Sequence, residues 1–168
     1  MLFALAVIFF SFLTLVVQTT LLPYIQIATV KPDLPLIVVM YAALYMDDAD
    51  AMSVGFTFGI IQDSLSHGFF GLQATTKCLT VVAIIILKKI FYSEDFLAGY
   101  IISFIIIVAD AFLSAYLTNA LWLARGELLW GRLTLIIIYN ALFVPPLFFA
   151  IKSGLSKYIL LKERFSKI

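Results

Sequence analysis

Asp63, Lys77 and Asp110 are ionisable side chains set inside runs apolar enough for a bilayer. Groups in that position pair, carry protons or fasten helices together, because hydrocarbon offers them no water. A carboxylate at the centre of a spanning segment costs roughly 2.5 to 3.5 kcal/mol on insertion scales, so it is rarely left facing lipid. Asp63 ends a stripe of Ala51, Gly55 and Gly59, each four residues from the next. In a helix that spacing puts all four on one face, where glycine lets another backbone approach closely. Asp63 therefore faces protein. Lys77 flanks the same turn on a helix that runs antiparallel, about five residues deeper, or roughly 7.5 Å at helical rise. Two arrangements satisfy both groups. Either the lysine stem reaches Asp63 as an ion pair, or Lys77 extends toward the interface while Asp63 accepts from backbone donors at a neighbouring helix end.

Asp110 shares a face with Ser114 and Thr118, continued by Ser103 and Ile107. A proton or ion relay would use such a row, but relays need several titratable groups in contact, so packing and hydrogen bonding is the favoured reading. Gln73, Thr76, Lys77 and Thr80 form a second polar face, and Ser11, Thr14 and Gln18 a third; both are expected to point inward. Catalysis finds no support. No nucleophile stands beside a base, no ligand cluster suits a metal, and there is no phosphate-binding or dinucleotide glycine fingerprint. His67, the only histidine, falls in a polar turn with Ser64 and Ser66, which reads as a solvated loop. A non-enzymatic protein without cofactor or metal is expected.

The elements that must position these groups follow from composition. Hydrophobic residues make up 64% of the chain and charged ones 12%, against roughly 45–50% and 25% in soluble domains. The chain reads as an all-α polytopic membrane protein. At roughly 20 residues per span, 168 residues leave room for about six spans and none for a soluble catalytic domain. Nucleic acid is not an expected partner. Cys78, alone in an apolar run, behaves as a small hydrophobe. Residues 1 to 30 carry no charge, so the first segment reads as a retained span rather than a cleaved signal.

Six helices are expected. Leu2 to Leu22 is the first, leaving at Pro23 and Tyr24; Leu34 to Met46 and residues 51 to 65 are two short ones separated by Asp47, Asp48 and Asp50. Leu72 to Leu87 runs to Lys88 and Lys89, Phe96 to Leu117 contains Asp110, and Leu133 to Ile151 contains Pro145 and Pro146. The double proline is expected to kink or break the sixth helix. Residues 1–151 thus form one transmembrane helical domain and 152–168 a basic tail. Lys88, Lys89 and the tail residues Lys152, Lys157, Lys162, Arg164 and Lys167 fall on one side of a six-span topology. Lys31, Lys77, Arg125 and Arg132 fall on the other, so the positive-inside rule puts both termini in the cytoplasm.

The run Lys31-Pro32-Asp33-Leu34, then Tyr41, Gly55-Phe56, Gly59, Asp63, Gly71-Leu72 and Ala74, resembles the bacterial rod shape-determining protein family MreD. Asp110 late in the fifth helix, and Asn140 with Pro145 before a basic tail, fit the same pattern. The resemblance implies an inner-membrane scaffold of the cell-elongation machinery that maintains rod shape. By the same resemblance it is expected to partner MreC and, with MreB, RodA and a penicillin-binding synthase, to regulate peptidoglycan synthesis. Pattern and buried charge together give the residues expected to serve structure or assembly: Pro32, Asp33, Gly55, Gly59, Asp63, Gly71, Lys77, Asp110, Asn140 and Pro145. The family is similar in fold to the S-components of energy-coupling-factor transporters, which supplies the alternative of a small-molecule (vitamin) uptake subunit. S-components commonly dock through an Ala-x-x-x-Ala patch on the first helix. Here Ala4 is followed by Ile8 and Ala6 by Phe10, so the patch is absent and the scaffold is preferred.

Overall fold

The computed structural model describes residues 2–27, 30–65, 69–90, 96–120 and 130–165. Among them are six α-helices: α1 (Leu2–Thr20), α2 (Leu34–Tyr45), α3 (Asp48–Leu65), α4 (Leu72–Ile90), α5 (Phe96–Ala120) and α6 (Trp130–Phe165). A 3-10 turn, Leu22–Ile25, follows α1, and one isolated bridge joins Ile27 and Val30. No strand occurs among the described residues.

The shortest helix lies at the centre. α2 begins where the Asp33 carboxylate accepts from Leu36 N–H at 3.2 Å, satisfying one of the orphan donors of the first turn. Pro35 sits in that same turn, where a missing N–H costs nothing. Leu36, Ile37, Val39, Met40 and Ala43 are at most 1% exposed, and Leu34, Pro35, Tyr41 and Ala42 on the opposite side of the helix are buried as well. A helix apolar all round must be enclosed all round. α1, α3, α4 and α6 enclose it. At 12 residues it spans about 18 Å, short of a hydrocarbon core of about 30 Å.

The enclosing helices are inverted relative to those of soluble proteins. On α1, Ser11 and Gln18 are buried whereas Phe9, Phe10, Phe12 and Leu13 are exposed. On α4, Thr76, Lys77 and Thr80 are buried whereas Leu79, Val82 and Ile86 are exposed. Water would penalise that arrangement on both counts, and lipid favours it on both. Two segments, Ala98–Leu117 of α5 and Gly131–Ser153 of α6, are long and apolar enough to cross a membrane on length and composition. α5 packs against α4 and α6, and α6 returns to α2, where Phe148 meets the edge of Tyr41 at 5.3 Å between ring centroids.

The sixth helix does not break. α6 runs through Pro145 and Pro146, and its backbone continues past residue 151 to Phe165. Membrane helices tolerate proline where packing and local adjustment re-satisfy the freed carbonyls. The flanking Val144 and Phe148 are buried, which holds the helix at the double proline. Ser66, His67 and Arg125, and the side chain of Thr118, lie outside the described residues.

α3 and α4 form the most extensive helix pair, and a glycine sets their separation. A Cβ placed on Gly59 would lie 2.6 Å from Ala74 N and 2.8 Å from Gln73 O. Those are backbone atoms, which cannot swing aside. One turn earlier a Cβ on Gly55 would lie 2.9 Å from Val81 Cγ2. Gly71, before α4, has φ +98° with open space around it. Gly59→Leu is therefore expected to prevent recovery of a monodisperse folded protein in mild detergent. Gly71→Ala is expected to fold with a loss of about 1–2 kcal/mol, the cost of a left-handed residue, measured by thermal unfolding.

Candidate functional site

The buried polar groups converge on both ends of the α4 inward face. Asp63, 3% exposed, occupies the first. Its Oδ2 accepts from Gly71 N–H and Ala74 N–H at 3.0 Å each, and its Oδ1 accepts from Gln73 N–H at 2.9 Å. A carboxylate on the last turn of α3 thereby caps α4, where unsatisfied amides and the helix dipole both favour negative charge. Gly59 permits this. It sits one turn earlier on the same face, and the close approach of α4 there brings its first amides within reach of Asp63. Gly71 supplies the positive φ from which the chain enters α4. The stripe of four thus closes an internal helix hairpin, and Ala51, Gly55, Gly59 and Asp63 are all buried.

Lys77 pairs with Asp33. Its Nζ lies 2.6 Å from Asp33 Oδ2, with the lysine side chain 1% exposed and the aspartate side chain 23% exposed. Of the two arrangements open to Asp63 and Lys77, Asp63 adopts backbone donors, while Lys77 takes a counter-charge from a segment distant in sequence. Asp63 has its oxygens engaged by converging amides. Lys77, one turn further along α4, faces the start of α2 instead. Asp33 therefore serves twice: Oδ1 caps α2 and Oδ2 binds the ammonium of α4.

Asn140 completes the join from α6. Its Oδ1 accepts from Asp33 N–H at 2.8 Å, while its Nδ2 donates to Ile136 O at 3.0 Å. Tyr139, adjacent in sequence, donates from its hydroxyl to Ile25 O. Two consecutive residues of α6 thus hold the connection between α1 and α2, in which Pro32 is buried. At the other end of the α4 face, Thr80 Oγ1 donates to Asp110 Oδ1 at 3.4 Å, linking α4 to α5. Ser103, fully buried on α5, donates to Gly99 O. Pro145 lies away from this cluster, half-buried within α6.

The sequence singled out Asp33, Asn140, Lys77 and Asp110 without joining them. Asp33 and Lys77 are 44 residues apart and Asp33 and Asn140 are 107 apart, separations that no periodicity encodes. Thr80 as the partner of Asp110 was foreshadowed only by its place on the Lys77 face. Among the described residues no group of three or more His, Cys, Asp or Glu could hold a metal ion.

Fold and site together define an all-helical membrane protein whose buried charges join one helix to another. The family model for rod shape-determining protein MreD matches residues 1–153, and the chain belongs to that family. Its role is accordingly in determining rod shape. Neither the search of curated proteins nor the search of solved structures returned a match.

Removing one member of a buried ion pair leaves an uncompensated charge and costs about 3–5 kcal/mol. Lys77→Met should show a loss of that order in thermal unfolding, recovered in large part by adding Asp33→Asn. Exchanging the charges, Asp33→Lys with Lys77→Asp, should restore folding better than Asp63→Lys with Lys77→Asp, which destroys the α4 cap. At the cap itself, Asp63→Ala should raise amide hydrogen exchange at Gly71, Gln73 and Ala74 relative to the middle of α4.

Proposed function

We propose that this chain is a non-enzymatic inner-membrane scaffold of the elongation machinery. It partners MreC and, with MreB, RodA and a penicillin-binding synthase, regulates peptidoglycan synthesis. The observation that carries this reading is how the buried polar groups are used. Asp63 caps α4, Lys77 binds the cap of α2, Asp110 accepts from Thr80, and Asn140 holds Asp33. Each link fastens one element to another. An architecture of this kind suits a protein that presents fixed surfaces to partners.

In this reading all six helices lie in the membrane, in an arrangement similar to that of the S-components, with α2 enclosed by the others. The exposed aspartates Asp47 and Asp48, together with Lys88, Lys89 and the basic tail, face the cytoplasm. The Lys31-Pro32-Asp33 segment then lies at the outer end, where a partner with an external domain meets it. The residues expected to matter for assembly are Pro32, Asp33, Gly55, Gly59, Asp63, Gly71, Lys77, Asp110, Asn140 and Pro145.

The test is gentle purification of the tagged chain from a rod-shaped host, with mass spectrometry of proteins and small molecules together. MreC retained without a stoichiometric small molecule is the expected result. A tightly held vitamin-like molecule without MreC would overturn the scaffold in favour of uptake. A reporter fused after Ile168 is expected to be active only in its cytoplasmic form.

A further inference from the structure

The polar cluster holds more acid than base: Asp33, Asp63 and Asp110 stand against Lys77. Asp63 is answered by three backbone amides, and Asp33 by the Lys77 ammonium at 2.6 Å. Asp110 receives one hydrogen bond, from Thr80 at 3.4 Å, beyond the ordinary range of roughly 2.5 to 3.0 Å between oxygens. Among the described residues no ammonium or guanidinium is in ion-pair contact with it, and the charge of Lys77 reaches it only through space. A carboxylate inside a membrane helix needs a donor or a counter-charge. Asp110 has room for one.

Gly99, Ser103, Ile106 and Ile107 share the Asp110 face of α5, and all are buried. From Asp110 onward that face opens. Asp110, Leu113, Ser114 and Leu117 are half-buried, although Ala111 at the edge of the face is covered. On α4, Thr80 and Ile84, one turn beyond it, are buried and close the floor. The C-terminal half of α5 thus stands away from the bundle, and a crevice leads from its end to Asp110. Ten residues, or about 15 Å of helix, separate Asp110 from Ala120. A long side chain covers only part of that depth, so the backbone that carries it must itself enter the membrane region.

We propose that this crevice receives a lysine or arginine from a membrane-embedded segment of a partner protein, and that Asp110 is its counter-charge. This rests on the scaffold reading above and gives the partner a chemistry: one basic side chain in the half of its span at the Lys31-Pro32-Asp33 end. Charge sets the selectivity, because an acidic or wholly apolar segment leaves Asp110 unanswered. In lipid that matters more than apolar contact, which favours no helix over another. The side chains named here offer one carboxylate and the hydroxyls of Thr80 and Ser114, too few for a calcium or magnesium ion, which takes about six oxygens or more. A single ammonium or guanidinium is satisfied by fewer.

The experiment uses the full chain in mild detergent with Cys78→Ser, and Ser114→Cys as the reporter in the crevice. Its rates of modification by a cationic and an anionic methanethiosulfonate are compared, and Asp110→Asn is expected to lower the cationic-to-anionic ratio several-fold. An unreactive thiol, or a ratio that Asp110→Asn does not move, overturns the proposal. Purification from a rod-shaped host then tests the occupant. Asp110→Asn is expected to lower the retained partner several-fold, whereas Asp110→Glu keeps it. Ser114→Lys supplies a cation within the chain, four residues from Asp110, and is expected to raise the Tm of the isolated chain while displacing the partner. If the unsubstituted chain retains no partner, the scaffold reading fails and this proposal with it. A partner retained equally by the unsubstituted chain, Asp110→Asn and Ser114→Lys overturns this proposal alone. If Asp110→Asn does not fold, Ser114→Lys decides, and a lowered Tm or undiminished retention in that variant overturns the proposal.

Discussion

Lys77 carries a full charge into the interior of a helical bundle, 1% exposed, where an unpaired ammonium could not be sustained. Its answer comes from Asp33, which must be held at one place to give it. Three things hold Asp33 there: the first turn of α2, whose Leu36 N–H it caps; Asn140, which accepts from its amide; and the connection secured by Tyr139 at Ile25. Fixing this one contact therefore fixes α2 against α4 and α6 together. The enclosed position of α2 and the return of α6 to the centre are both consistent with that demand.

The α3–α4 hairpin meets the same constraint by different means. Asp63 is stabilised by the amides that open α4. That solution requires two backbones in near contact, which only the missing side chain of Gly59 allows. The small-residue stripe and the buried acid are thus two halves of one device. Because that face is filled internally, partners must meet other surfaces. The outward faces of α1, α4, α5 and α6 are largely aromatic and aliphatic, as lipid contact demands.

Membership of the MreD family places the chain in rod-shape determination. Its buried ionisable groups act on the packing of the helices. A buried ion pair adds little net stability but strongly penalises any arrangement in which its partners are parted. Such groups select one packing of apolar helices over the many that hydrophobic matching alone would permit. That selection matters in a bilayer, where apolar surface provides no drive for one helix to prefer another.

Much of the architecture was legible in the residues. Composition required a membrane protein, charge clusters and turn residues separated six helices, and the polar faces of α1 and α4 were read inward, where Ser11, Gln18, Thr76, Lys77 and Thr80 lie. The spacing of Ala51, Gly55, Gly59 and Asp63 announced a close-packed face. These are local properties, fixed by helical period and by the free energy of each side chain in lipid or in protein. Of the kink or break expected at Pro145 and Pro146, the break is absent, since the helix runs on through both prolines. What only the tertiary structure decided was the pairing: Lys77 with Asp33 rather than Asp63, and Asp33 with Asn140 across 107 residues. The physical reason is that a charge specifies the sign and hydrogen-bonding character of its partner but not its address. The address is set when six helices have packed and one carboxylate, of several, lies within reach.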